Sequence, residues 1–465
     1  MGNVKFSTSL TELPFSKIFF KLAIPNLYST LIASLTVIFD LWYVGQIGVS
    51  QLAGVAYIFP IYMLTSMLSN GAFGGAVSGA TARAFGSRNI FQAECIFRSA
   101  IIIAALGSAI MMGIFFSFAE IFFEFFEINK EVTFSALTYG SILLSGIVLI
   151  WLFNIVIAIT RGSGNTIIPA IGWSIVLISH IIIASLNFEY NEGILTLINT
   201  VDLFNGRYIF TSLEWSIISL LMGYLIGIFF VCGFYFFGEH SFSFNTKDIF
   251  KFNGIINLIK SGSLASCQSI MTIALAMFCI TVISMFGTNW TAGLGIAIRL
   301  ELLLIPVIFG VGGALIAIVG ANVGAKKYSR AVRITWKGTF FSVLIVGIIG
   351  LFFSIYPHLW SDNFSDNFQI REASNSYLKI VAPFYAFFAL GLGLYFTCQA
   401  FNTLFWPVIG TLIRLVFVVL MTLILFYFET INPQLIFIVM SLGLIIYGLF
   451  ISISLHFGPW KNYYG

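Results

Sequence analysis

The sequence predicts an all-α integral membrane protein. About twelve transmembrane helices are expected, in two six-helix lobes related by internal pseudo-symmetry. Three observations lead there. The first concerns solvent. Charged residues make up 9% of the chain and hydrophobic residues 59%, with a mean hydropathy of +1.01, whereas a soluble domain carries about 25% charge. Water would not solvate such a surface, so lipid must. The second is run length. A spanning helix needs roughly 20 apolar residues. These runs are continuously apolar, where a transmembrane barrel would alternate. The third is an internal repeat. Ala53-Gly54, with Gly71 and Gly74 and then Ala82-Arg83-Ala84-Phe85-Gly86-Ser87-Arg88, recurs 239 residues later. Its echo is Ala292-Gly293, Gly310 and Gly313, and Ala321-Asn322-Val323-Gly324-Ala325-Lys326-Lys327. Gly164-Asn165-Thr166 before Pro169 is matched by Phe401-Asn402-Thr403 before Pro407.

Taken in order, the apolar runs predict helices at 18–45, 52–82, 93–119, 132–159, 167–187 and 210–237 in the first half. The second half predicts 255–287, 292–322, 334–357, 373–398, 405–428 and 434–457. The lobes are expected at 1–238 and 255–465, joined by a cytoplasmic linker at 239–254 that is rich in polar residues. Six is even, so both lobes enter the membrane from the same side and are related by an axis along its normal.

Charge sets the expected orientation. With a cytoplasmic N-terminus, sixteen Lys and Arg fall on the cytoplasmic side: Lys5, Lys17, Lys21, Arg83, Arg88, Arg98, Arg161, Lys247, Lys251, Lys260, Lys326, Lys327, Arg330, Arg333, Lys337 and Lys461. Four fall outside: Lys130, Arg207, Arg371 and Lys379. The positive-inside rule then places both termini in the cytoplasm. The expected location is the cell inner membrane or plasma membrane, crossed many times. Met1 to Lys17 does not read as a cleaved signal. The net charge of +4 gives no argument for nucleic acid. Cys95, Cys232, Cys267, Cys279 and Cys398 are scattered in apolar runs without metal-like spacing, so they read as core residues. No metal and no cofactor are expected.

Charges inside spans are the candidate functional residues. Asp40 interrupts the first apolar run, one to two turns from its outer end. A charge at the bilayer centre costs at least about 2.5–3.5 kcal/mol, so such a carboxyl must find a partner, a wet cavity or a proton. Burial favours the protonated form, which suits a group that loads a proton on one side and releases it on the other. Glu301 lies about ten residues into the eighth helix, roughly 15 Å deep. Arg299 stands two residues from it, and i,i+2 residues do not face each other on a helix. Glu301 therefore reads either as a transport residue or as half of a structural ion pair, with Arg414 as another partner. His180 in the fifth helix reads either as a hydrogen-bonded core histidine or as a proton relay. Pro25, Gly71, Gly74, Gly310 and Gly313 read as close packing, as a flexible hinge, or as both. Most of the fifty-two phenylalanines are expected to face lipid or pack helices, and those that line a cavity would suit amphiphilic cations through apolar area and cation–π contact.

The order of these motifs resembles the multidrug and toxic compound extrusion (MATE) family. The resemblance is carried by Pro25, Phe39-Asp40-Leu41-Trp42-Tyr43-Val44-Gly45-Gln46-Ile47-Gly48, Leu52-Ala53-Gly54-Val55-Ala56 and Ala82-Arg83-Ala84-Phe85-Gly86. It continues through Arg161-Gly162-Ser163-Gly164-Asn165, Arg299-Leu300-Glu301, Pro306, Val319-Gly320-Ala321-Asn322-Val323-Gly324-Ala325 and Ala382-Pro383-Phe384-Tyr385. It implies two bundles around a V-shaped cavity and export driven by a proton or sodium gradient, with coupling at Asp40. Many relatives place Asn and Asp four residues apart on the fifth helix. Those places fall at His180 and Ala184 here. The missing carboxylate argues against a sodium site and favours proton coupling through Asp40 and His180. The second lobe also lacks the acid that some relatives carry on the tenth helix.

The expected function is a secondary antiporter, not an enzyme. It would export amphiphilic, cationic organic compounds in exchange for H+, with Na+ second, by rocking between two lobes as a monomer. A lipid-linked oligosaccharide flippase is the alternative, but only Arg299 and Arg414 offer cations within spans. A channel or membrane-embedded enzyme ranks last. No phosphate-cradling GxxxxGK[ST] loop occurs, so the chain is not by itself an ATP-driven pump.

Overall fold

Eleven helices among the described residues are long and apolar enough to cross a membrane, and a bent pair supplies a twelfth. The structure is a computed structural model that describes residues 10–125, 129–189, 211–237 and 254–463. Apart from Gly254, the linker expected at 239–254 lies outside these residues. The first six spans are Phe15–Ile47, Val49–Gly86, Ile90–Phe125, the bent pair Lys130–Ser145 and Ile147–Gly162, Ile167–Glu189 and Ser212–Phe237. The seventh to ninth are Ile255–Ser284, Thr288–Gly324 and Tyr328–Ile355. The tenth runs from Phe368 to Phe401, and the last two are Phe405–Tyr427 and Pro433–Phe457. No strand occurs among the described residues. Lipid offers no hydrogen bonds, so a helix that satisfies its own backbone is the natural solution.

Three spans are interrupted, and each break has a local cause. The second changes to a π-helix over Met67–Phe73 before resuming at Gly74. The fourth, expected as one helix over 132–159, bends by 48° between its two halves. Gly146 caps the first half there, and the Leu221 side chain fills the notch where a Cβ would stand. The tenth, expected as one helix over 373–398, tightens to a 3-10 turn at Ala382–Phe384. Pro383 lies in that turn and has no N–H to continue the helix.

The lobes exchange the beginnings of their first helices. In the first span Ile18, Phe19, Leu22 and Ala23 are buried in the core of the second lobe. Further along the same helix, Val37, Leu41 and Val44 pack with the first-lobe core. The seventh span reciprocates, with Ile255 and Leu258 packed in the first-lobe core and Gly262 against the Phe73 ring. Lipid tails are as apolar as leucine, so burial alone does not drive such association; close approach does.

That close approach forms a seam where the second and eighth spans end. Gly86 lies on the backbone of Ala321 and Gly324 on that of Arg83, where any Cβ would overlap the facing carbonyl. Gly320 faces the Ala82 methyl. These are equivalent segments of the repeat, so the contact is close to two-fold symmetric. Three of the candidate hinge residues, Gly71, Gly310 and Gly313, lie further along this lobe contact. Gly310 sits on the backbone of Leu27 and Gly313 on the Asn26 amide. Asn26 donates to the Gly310 carbonyl at 2.7 Å, and Thr30 donates to the Pro306 carbonyl at 2.8 Å. Gly71 lies in the π-helix facing the Phe309 ring, and Gly74 follows directly after it. Pro25 stands beside Asn26, inside the first helix.

Candidate functional site

Asp40 lies on the part of the first span that packs into its own lobe. It is 4% exposed, yet its carboxylate is well partnered. The Tyr139 hydroxyl donates to Oδ2 at 2.5 Å, and Ser216 Oγ donates to Oδ1 at 2.7 Å. Tyr139 comes from the fourth span and Ser216 from the sixth, so the bundle closes around the acid. A second phenol pair, Tyr62 and Tyr224, shares a hydrogen bond of 2.9 Å. Tyr62 also lines a small cavity beside Asp40, together with Val37, Leu41, Val55, Phe59 and Leu220. Its free volume is about 10 Å³, close to the least that holds one water molecule.

His180 reaches the same carboxylate from the fifth span. It is 0% exposed, with its Nε2 3.6 Å from Asp40 Oδ1. Phe39 packs edge-on against the ring at a centroid distance of 5.0 Å. The other ring nitrogen, Nδ1, is 2.8 Å from Ser219 Oγ. Ser219 donates its single hydroxyl proton to the Ser216 carbonyl at 2.7 Å. Its oxygen is therefore left to accept, so Nδ1 carries a hydrogen. In the neutral imidazole, Nε2 then presents a lone pair to the carboxylate and has no hydrogen-bond partner. One added proton relieves this contact, either as an imidazolium facing a carboxylate or as a carboxylic acid facing an imidazole. The geometry leaves Nε2 and Oδ1 facing each other without a hydrogen between them. Ala184, one turn further along the fifth span, is buried and adds no oxygen ligand.

The second lobe repeats this site in altered form. Glu301 accepts a hydrogen bond from Tyr377, a fully buried residue of the tenth span. Arg414 of the eleventh span lies within electrostatic reach of Glu301, with its guanidinium over the Tyr447 ring at 5.8 Å. Tyr447 in turn accepts from the Gln268 amide at 3.0 Å. Arg299 is not brought to Glu301 by any bond described here. It turns away to stack over the Phe364 ring at 5.4 Å, as the i,i+2 spacing implies. The position equivalent to Asp40 is Cys279, which is buried and lies near both Glu301 and Arg414. The second lobe therefore keeps a tyrosine-held carboxyl, but draws the acid from the neighbouring helix and sets an arginine beside it.

Asp40 and His180 are brought together. Tyr139, Ser216, Ser219, Tyr62 and Tyr224 were not anticipated. One signal was available for the first of them: Tyr139 and Tyr377 stand 238 residues apart, close to the repeat interval. Among the described residues no group of three or more His, Cys, Asp and Glu could hold a metal ion.

Comparison with known proteins agrees with the architecture. The MatE family model matches residues 25–186 and 265–425, one block in each lobe. A protein of Shewanella oneidensis named FAD transporter is 22% identical over 418 residues, covering 89% of this chain and 88% of that protein. A solved structure described as MATE in the bent conformation superposes with a TM-score of 0.82 at 19% identity, covering 97% of each chain. A multidrug resistance MATE family transporter of the MOP superfamily, described as outward-facing, superposes with a TM-score of 0.79 at 20% identity. It covers 96% of this chain and 97% of the other. A MOP superfamily transporter from Pyrococcus furiosus, described as having a binding pocket of reverse polarity, gives a TM-score of 0.80 at 19% identity and covers 96% of each chain.

Proposed function

The chain belongs to the MATE family of membrane transporters, and within that family we propose that it is a proton-coupled exporter of amphiphilic, cationic organic compounds. Members of this family are transporters, not enzymes. The observation that carries the coupling assignment is the Asp40–His180 contact: a buried carboxylate 3.6 Å from an imidazole nitrogen with no other partner. A proton fits that gap. Sodium fits poorly, since one side of the carboxylate is occupied by nitrogen and both oxygens already accept hydrogen bonds.

The proposed cycle is rocking alternating access. With cytoplasmic termini, as the lysine and arginine distribution favours, the glycine seam closes the cytoplasmic end. Asp40 then lies toward the outer end, where it loads a proton as the substrate leaves. Reorientation requires the seam to part. Pro25, Gly71, Gly74, Gly310 and Gly313 are the proposed points of bending and sliding. Gly71, Gly310 and Gly313 lie along the contact between the first span or π-helix and the second lobe. Pro25 adjoins Asn26, and Gly74 follows the π-helix and packs on Ser69 and Ala158 of its own lobe. The substrate assignment is supported by the abundance of aromatic side chains, whose faces suit organic cations.

A second substrate reading is favoured by the relative named FAD transporter. On that reading the cargo is a flavin dinucleotide, with aromatic side chains stacking the ring and an arginine meeting the phosphates. One experiment addresses both. Purified protein in liposomes is given an imposed pH gradient or an imposed sodium gradient, with either a fluorescent cationic dye or FAD. Accumulation of dye driven by the pH gradient supports the first reading. Accumulation of FAD and not dye replaces the substrate assignment, and a response to sodium alone removes proton coupling.

A further inference from the structure

The closed seam contains a cation with no anion beside it. Arg83 ends the second span, and among the described residues no carboxylate forms a salt bridge with it. Its Nη1 instead donates across the lobe boundary to the carbonyls of Gln399 at 3.0 Å and Ala400 at 2.7 Å. These carbonyls belong to the last turn of the helix Tyr385–Phe401. Carbonyls at a helix C-terminus lack intrahelical donors and form the negative end of the helix dipole. Asn402 stops the helix there in a left-handed conformation, with φ of 61°. The guanidinium thus caps a helix of the opposite lobe.

One further contact makes the grip reciprocal. The Gln399 amide donates back to the Gly71 carbonyl at 2.9 Å, within the π-helix of the second span. Gly75 and Gly79 leave room for it, since a Cβ on either would overlap Gln399. Asn322 stands 239 residues after Arg83, at the equivalent repeat position. It donates to the Leu10 carbonyl at 3.2 Å, at the start of the chain segment leading into the first span. Leu10 is packed in the second-lobe core with Ile18 and Phe19, so this bond ties the chain's beginning to the second lobe and leaves the crossing of the seam to Arg83 and Gln399.

We propose that Arg83 is the positioning residue of the closed seam, a latch whose guanidinium holds the C-terminal carbonyls of the tenth span and releases them when the lobes part. This inference rests on the rocking cycle proposed above. A guanidinium suits the task because neither state leaves it unsatisfied. In the closed seam two carbonyls replace its water, and in the parted seam water returns. A carboxylate partner would bind it in both states only if it moved with it. Carbonyls fixed on the other lobe bind it in one state alone.

The test measures lobe separation in the full chain in liposomes. Spin labels are placed on Ser87→Cys and Lys326→Cys, exposed turn residues after the second and eighth spans, with Cys232 and Cys267 replaced by serine. A control pair inside the first lobe uses Ser87→Cys and Ile167→Cys. Arg83→Ala is expected to lower the closed-to-parted population ratio by about tenfold or more, the equivalent of one charge-assisted hydrogen bond. Arg83→Lys, which keeps the charge but not the fork, should fall between alanine and wild type. An unchanged ratio in Arg83→Ala with the control distance intact overturns the latch. If that variant does not fold, Arg83→Lys decides in the same way. A wild type with one distance under every pH and substrate condition overturns both the latch and the rocking cycle. Two populations in the wild type with equal ratios in the variants overturn the latch alone.

Discussion

Replacing Asp40 by asparagine keeps the shape of the first-lobe site and removes its capacity to hold a proton. The structure sets the size of two effects. Tyr139 and Ser216 each donate to one carboxylate oxygen. An amide offers one oxygen and one NH2, so one of those donors meets another donor. Leaving such a buried group unsatisfied costs about 1–3 kcal/mol, a loss of stability that does not by itself unfold a domain. The effect on coupling is categorical. One pH unit across the membrane supplies about 1.4 kcal/mol for each proton exchanged, which sustains roughly tenfold substrate accumulation for a one-to-one exchange. In liposomes under a one-unit gradient, the wild type should approach that ratio and Asp40→Asn should stay near equality on both sides. Substrate-for-substrate exchange without a gradient should survive in the variant, because the lobes can still rock. Accumulation by Asp40→Asn equal to wild type refutes the assignment of the proton to this site.

His180→Ala should also weaken coupling, giving less than about threefold accumulation under the same one-unit gradient; full accumulation would reduce His180 to a packing residue. Glu301→Gln should lower thermal stability by about 1–2 kcal/mol through its bond to Tyr377, while leaving the accumulation ratio intact. A collapsed ratio in this variant would place coupling in the second lobe as well. Gly86→Val puts a side chain where the Ala321 backbone lies. Spin labels at residues 87 and 326 should then show a widened seam, and transport should fall at least about tenfold; a normal distance and normal transport would deny the seam its role.

How much of this was legible beforehand follows from what each feature costs. Asp40 could be read from sequence because a carboxyl inside an apolar run is expensive wherever the chain folds. His180 could be read as its companion only through spacing from Arg161, since a lone histidine has many uses. Tyr139 carried only the signal of its repeat partner Tyr377, and Ser216 and Ser219 carried none. A tyrosine or serine within a span costs little, and its role here depends on which spans meet. The pairing of Glu301 was open for the same reason. Helical geometry excluded a direct Arg299 contact, but placing Tyr377 and Arg414 beside Glu301 required the packing of three spans. The breaks divide similarly. Pro383 marks its own turn, whereas the π-helix over Met67–Phe73 and the 48° bend at Gly146 are set by what packs against them.

The repeat was read as two lobes that rock, but the structure makes the first span the part that both lobes share. Its early residues Ile18, Phe19 and Leu22 are buried in the second lobe, and its later residues surround Asp40 in the first. Pro25, Asn26 and Thr30 lie between. In the proposed rocking cycle, parting of the seam requires this helix to bend, slide or leave one of its two cores. Its grip on the first lobe combines the packing of Val37, Leu41 and Val44 with the two hydrogen bonds to the Asp40 carboxylate and the contact with His180. A proton added there changes those contacts directly. On the proposed coupling, a proton at this site can loosen or tighten the hold of one lobe on a helix anchored in the other. Asparagine at position 40 should fix that hold in one setting, so its population ratio at the seam should no longer respond to pH, whereas the wild type ratio should.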